Sequence, residues 1–312
     1  MPTIVVASQQ AQAGRSAVTA GLGALLAGQG RSVHLARLRS LDGADPGAED
    51  DARLLSKVPG CAGSSSAVTE QDALVLVRDA GASGTLLIEA SPGSAKELAD
   101  RLSARVVFVT NAGDDVAPAK SALGDVLAGV IATRVPKRRM RVLPGEIEAQ
   151  GVACLGVLPE DGQLAGPNVE EMAGALHASR LVERGMEDEA VEFVMLGPIS
   201  ADPGQPYFLQ HGSKAVINRF DKMDLHLAAL ATEPDCLILT GGQMPSPYLL
   251  DRVTGGDFPI TVLLAPEGTV RTVEVLDDLF GRTRFAGQRK LMRAIDLLRD
   301  HIDADKLASA LS

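Results

Sequence analysis

At 312 residues the chain is long for one domain and suits two. Forty acidic against 30 basic residues leave a formal charge of −10, and the longest basic cluster, "PKRRMR" at 136–141, is short and without interleaved aromatics, which argues against a nucleic-acid partner. Three scattered cysteines (Cys61, Cys154, Cys236) signal neither a disulfide framework nor a zinc site, and no apolar run approaches the ~20 residues needed to cross a bilayer, so a soluble cytoplasmic protein without membrane attachment is expected.

In chain order, short apolar runs alternate with helical patterns. Strands are predicted at 3–8, 32–38, 85–91, 105–111, 128–136 and 152–159, each nearly apolar throughout, as strands buried on both faces are. This pattern predicts a parallel α/β sheet with helices on both faces. The polar stretch 40–66 interrupts it where an active-site loop would sit. A helix is predicted over 169–185, ending at Gly185, and a domain boundary follows, dividing the chain into 1–185 and 186–312. The alternation then restarts as a smaller α/β domain, with strands at 191–197, 214–220, 236–242 and 259–266. The tail from Arg284 is expected to be helical, Asp303 capping its last short helix.

Between the first strand and the first helix runs a loop closing on Gly14-Arg15-Ser16. Amides at a helix N-terminus attract anions, so Ser8, Gln9, Gln10, Ala13, Gly14, Arg15, Ser16 and Ala17 are candidate phosphate-binding residues. A P-loop would carry lysine where Arg15 stands, and the longer, forked guanidinium does not reproduce a compact ammonium at the β/γ-phosphates. Ser16 falls where a hydroxyl would coordinate Mg2+. Glu89, at a strand end, is the candidate second ligand, with Asp50 and Asp51 as further candidates. The bland alternative is an ordinary strand-to-helix turn with solvated acids. The five histidines are dispersed, with none at metal spacing.

With these residues in place, the first 185 residues resemble the dethiobiotin synthetase-like P-loop family. The match runs through Ser8, Gly14 and Ser16, then "DD" at 50–51, "LLIEAS" at 86–91, "VFVTNAG" at 107–113, "LAGVIATRVP" at 127–136 and "LGVLPED" at 155–161. It implies ATP or ADP, with Mg2+, as cofactors. Arg15 departs from the family's lysine, and Thr133 stands where an asparagine often reads the purine. Residues 216–250 resemble the DRTGG domain, its Asp-Arg-Thr-Asp turn reading Asp221-Lys222-Met223-Asp224 and its strand ending Thr240-Gly241-Gly242. Both elements are strand ends entering helices, where open α/β sheets bind ligands. The turn carboxylates would alternatively just cap a helix, as would Thr269 in "PEGTV".

The two together resemble the N-terminal region of the long form of phosphate acetyltransferases, whose acyltransferase domain is not among these residues. The resemblance implies a stand-alone regulatory or sensory module rather than an enzyme, binding a nucleotide or phosphate-bearing metabolite, with an acyltransferase as partner. Separately, the second domain's helices "DLHLAALA" (224–231) and "VEVLDDLF" (273–280) offer apolar faces that so short a domain covers only in part, which predicts a two-fold dimer. No acetyl transfer is expected of the module. The alternatives are an ATP-dependent ligase that activates a carboxylate or carbamate, and a scaffold without ligand.

Overall fold

The computed structural model describes residues 3–10, 12–39, 47–79, 84–90, 93–185, 188–198, 207–256 and 260–311; residues 40–46 of the polar loop, Ser91 and the expected boundary residue 186 lie outside these. The chain folds as two compact units, Met1–Asp161 with Lys290–Ser312, and Gly162–Arg289.

In the first unit β1 (Thr3–Ser8), β2 (Ser32–Arg37), β3 (Cys61–Gly63), β4 (Gly84–Glu89), β5 (Arg105–Asn111), β6 (Leu127–Val135) and β7 (Cys154–Pro159) form one sheet in the order β3-β2-β4-β1-β5-β6-β7. Every pairing is parallel. The six apolar runs are all strands, and only the short edge strand β3 is additional. The intervening helices are α1 (Arg15–Gly28), α2 (Ala48–Leu55), α3 (Glu70–Asp79), α4 (Ala95–Leu102), α5 (Ala117–Leu123) and α6 (Leu143–Ala149). Because alternate residues of a strand face opposite ways, each strand feeds two cores. Val5, Ala7, Ala36 and Ile88 pack with Leu98 and Leu102 of α4 on one face. On the other, Leu35 lies against α1, where a Cβ on Gly23 would come within 2.8 Å of it.

The second unit holds α7 (Gly162–Ala165), α8 (Val169–Ala175), β8 (Ser179–Val182), β9 (Phe193–Leu196), β10 (Lys214–Arg219), α9 (Met223–Leu230), β11 (Cys236–Thr240), α10 (Pro247–Thr254), β12 (Thr261–Ala265) and α11 (Thr269–Asp277). Its sheet runs β8-β12-β11-β10-β9, parallel except for β8. The four expected strands are present. The helix expected over 169–185 is corrected: it stops at Ala175, His177 takes φ 48°, and residues 179–182 pair antiparallel with β12. A left-handed residue ends a helix because no further helical bond can follow it, and the apolar Leu181 and Val182 then pack on the sheet.

The expected boundary is corrected as well. The second unit begins at Gly162, ahead of α8, and the chain returns to the first unit from Lys290. This return comprises most of α12 (Gly287–His301) and all of α13 (Ala304–Leu311). Ile302 bridges to Gly156 of β7, Lys306 pairs with Glu148 of α6 at 2.9 Å, and Asp303 accepts the Lys306 amide at 3.0 Å, the cap expected of it. Leu291, Ala294, Leu298 and Leu307 are buried. Nothing local in the sequence reports this return, because its apolar stripe suits any partner surface. Among the described residues no helix is long and apolar enough to cross a membrane.

Gly21 of α1 shows how closely the returning helix packs, since a Cβ there would stand 2.3 Å from Leu298 Cγ, a branch point and not a flexible tip. Gly21→Val is expected to cost about 1–3 kcal/mol in urea unfolding by overpacking. Combining it with Leu298→Ala should cost less than the sum of the two single changes, because the smaller residue vacates the overlapped space.

Candidate functional site

Side by side in the first sheet, Val6 of β1 and Arg37 of β2 each stand in register with Glu89 of β4. The polar residues of an otherwise apolar sheet gather at this carboxyl edge. Gly14, at φ +89°, precedes α1 without a capping side chain, and the first intrahelical bond is Val18 N–H to Gly14 O at 3.0 Å. The amides of Arg15, Ser16 and Ala17 therefore head the helix at its positive end. The loop before them is tied down. Ser8 Oγ donates to Gln10 O (2.5 Å), Asn111 Nδ2 donates to Gln10 Oε1 (2.8 Å), and Thr133 Oγ1 lies 2.9 Å from Ala13 O. Gln9 and Gln10 stay exposed. Thr133 is thus engaged with loop backbone at the position where the family resemblance implies purine recognition.

Behind the helix end lies a buried charge cluster. Glu89 is 1% exposed; its Oε1 accepts from Ser16 Oγ at 3.0 Å and faces Arg37 Nε at 3.4 Å and Arg15 Nε at 3.8 Å. Arg37, equally buried, also faces Asp51 Oδ2 at 3.4 Å and donates through Nη1 to Leu38 O at 2.7 Å. Arg15 donates to the Ala90 carbonyl. Two guanidiniums and two carboxylates so compensate one another where isolated charges would be costly. Glu89 Oε2 is buried and has no hydrogen-bond donor. Burial therefore pushes the carboxyl pKa up, with Arg37 opposing, Asp51 reinforcing, and Arg15 and Ser16 opposing.

Two candidate residues lie away from where the sequence reading put them. Arg15 turns inward to the Ala90 carbonyl and Glu89, with a relative exposure of 4%. Asp50 pairs with Arg53 on half-exposed α2, while Asp51 reaches the cluster. Arg37 is the residue that sequence reasoning missed; the available signal was a single cation closing an apolar strand.

The proposed Mg2+ site does not fit. Ser16, Asp51 and Glu89 do converge, but the guanidinium of Arg37 lies between the carboxylates, and the Ser16 hydroxyl proton is directed at Glu89. Magnesium requires near-octahedral oxygens at about 2.0–2.1 Å. Among the described residues, no group of three or more His, Cys, Asp or Glu could hold a metal ion.

In the second unit Thr240 Oγ1 bonds Thr269 Oγ1 at 2.8 Å, joining β11 to α11. Gly241 and Gly242 take φ +103° and +67°, which only glycine adopts readily. Their amides donate to Glu267 O (2.8 Å) and Ala265 O (3.0 Å). Thr269 is the first residue of α11, not its cap, which is Gly268. Asp221 pairs with Arg219 at 2.8 Å, and Asp224 lies in the first turn of α9, whose cap is Lys222 without a side-chain bond. Unforeseen were Asn218 and His226. Both Asn218 amide atoms are buried without a partner. His226 Nε2 donates to Arg219 O at 2.9 Å, its Nδ1 lacks a partner, and burial lowers its pKa.

The chain is similar to several known proteins. Residues 171–279 match the DRTGG domain family. A phosphate acetyltransferase of Nitratidesulfovibrio vulgaris is 28% identical over 204 residues, covering 60% of this chain; the chain spans only 28% of that relative's length. Among solved structures, the MinD cell division protein of Aquifex aeolicus overlaps 53% of this chain and 84% of its own at 15% identity, TM-score 0.40. The CBS and DRTGG domains of the regulatory region of Clostridium perfringens pyrophosphatase, complexed with the activator diadenosine tetraphosphate, overlap 47% of this chain and 72% of their own at 10% identity, TM-score 0.32. The chain thus carries a seven-stranded parallel α/β unit and a region, residues 171–279, that matches the DRTGG domain.

The raised pKa of Glu89, from 4.5 to about 7, makes stability pH-dependent. Below 4.5 the group is protonated folded or unfolded and contributes nothing. As pH rises toward 7 the unfolded chain releases the proton while the native one retains it, so the group lowers stability. Wild type measured against Glu89→Gln is expected to lose about 1–3 kcal/mol of relative stability between pH 4.5 and 8, read from urea midpoints at each pH.

Proposed function

We propose that the protein is a regulatory module that binds a nucleotide or other phosphate-bearing metabolite at the loop 8–17 and relays occupancy through its DRTGG domain. The observation that carries this is Gly14 at φ +89° presenting the N-terminal amides of α1 at the carboxyl edge of a parallel sheet. A helix end so placed attracts phosphate without needing a particular side chain at residue 15. The likeness to phosphate acetyltransferase supports an acyltransferase as the regulated partner. The ligase alternative requires a charge that follows the β/γ-bridge, and Arg15 is engaged elsewhere.

ADP and ATP are expected to raise the melting temperature, since a ligand that binds the native state stabilises it by mass action. Gly14→Val, which forces a β-branched residue to φ +89°, should abolish the shift. ATP turnover should stay at the level of the Gly14→Val control; turnover clearly above it favours the ligase.

We further propose that the DRTGG domain pairs with a second copy beside its Thr240-Gly241-Gly242 loop. The expected apolar face of α9 is covered by its own core, through Leu225, Ala229 and Leu230. Exposed apolar residues lie instead next to that loop and at the head of α11: Met244 is 60% exposed and Val270 75%. Symmetric pairing would bury them. Light scattering of the full chain should give a dimer, and Met244→Asp with Val270→Asp a monomer; a monomeric wild type at high micromolar concentration removes the idea.

A further inference from the structure

The cluster at Glu89 has a charge arrangement that the proposed phosphate-binding role leaves unexplained. Arg37 Nε stands 3.4 Å from Asp51 Oδ2 and 3.4 Å from Glu89 Oε1, a cation shared by two carboxylates from different elements. Ser16, the first hydroxyl of α1, joins the same Glu89 oxygen at 3.0 Å. Two carboxylates and a hydroxyl at the head of a phosphate-type loop are the donors a divalent cation would seek. Here a tethered guanidinium occupies the centre of that set. Its position is fixed from outside by Nη1 donating to Leu38 O at 2.7 Å, and with 1% exposure it has no room to swing to solvent.

We propose that Arg37 is a built-in replacement for the divalent cation, so that the loop 8–17 takes its phosphate-bearing ligand without metal. The step rests on the phosphate-binding role proposed above. With Glu89 ionised, Arg15 and Arg37 against Glu89 and Asp51 sum to zero formal charge, and with Glu89 protonated the set is already positive. A further divalent charge would be unbalanced and would face two guanidiniums. Removing Arg37 inverts this: Glu89 keeps Arg15 while Asp51 loses the Arg37 guanidinium, and a vacated space lies between carboxylates and hydroxyl. A guanidinium held within the fold also needs no capture from solution, so ligand affinity becomes independent of the metal concentration.

The test is Mn2+ titration followed by the spin-resonance signal of the free ion, with folding checked by circular dichroism. Wild type should leave the signal as Ser16→Ala leaves it. Arg37→Ala, or Arg37→Met should the first variant not fold, should take up one Mn2+ at least about tenfold more tightly, and adding Glu89→Gln should abolish the gain. In parallel, the affinity of wild type for ADP should be the same within about twofold in EDTA and in excess magnesium. Stoichiometric Mn2+ uptake by wild type that Ser16→Ala removes overturns the proposal, as does a folded Arg37 variant that gains none. ADP binding that vanishes in EDTA overturns it too. If ADP fails to bind under either condition the phosphate-binding role falls, while the Mn2+ titration still judges Arg37 on its own; should neither Arg37 variant fold, the wild-type titration decides.

Discussion

A carboxylate buried among apolar strands must be met by opposite charge within the fold, and Glu89 imposes that demand on everything around it. Its strand, β4, lies between β1 and β2 and is buried along its whole length, so water cannot solvate the group. Arg37 from β2, Arg15 and Ser16 from α1, and Asp51 from α2 all converge in response. The consequence is functional as well as structural. Arg15, which the loop's position would direct at a phosphate, is drawn inward, and the set of oxygen donors that would hold a metal is filled by a guanidinium.

With Arg15 turned inward, backbone remains as the anion-attracting element of the loop. Gly14 provides the left-handed turn that lets the first amides of α1 emerge together, and Thr133, Asn111 and Ser8 hold the loop's shape. Backbone recognition of this kind is tolerant of side-chain change, which is why a phosphate-type loop can lose its lysine and keep affinity for anions. It supplies no mobile charge to follow a transferring phosphoryl group. Binding without turnover is the behaviour we propose for it.

The DRTGG domain meets the same physics differently. Its glycine pair also sits at a strand end with positive φ, but the Gly241 and Gly242 amides are bonded to Glu267 and Ala265, so these glycines shape a turn instead of presenting donors. The unsatisfied polar groups there belong to Asn218 and His226, around the end of the neighbouring strand β10. Buried groups left without partners carry a free-energy penalty of about 1–3 kcal/mol each. In this unit these two unsatisfied groups therefore flank the Asp221–Asp224 turn and lie one strand away from the glycine pair.

Strand and helix order was legible from the chain because strands buried on both faces must be apolar throughout, and such runs stand out without any partner being known. The loop at 8–16 was legible for the same reason: a strand, a glycine and a helix fix its place at a sheet edge. The tertiary structure decided what no local pattern encodes. Residues 179–182 form a strand because a sheet edge is available to pair with them, although their sequence continues a helical pattern. The stripe of Leu291, Leu298 and Leu307 is amphipathic in any setting, and only the fold selects the first unit as its partner. Arg37 is separated from Asp51 by 14 residues and from Glu89 by 52, so its role arises only when parallel pairing sets it in register with Glu89. Charge compensation acts through space over a few ångströms, and sequence distance carries no record of it.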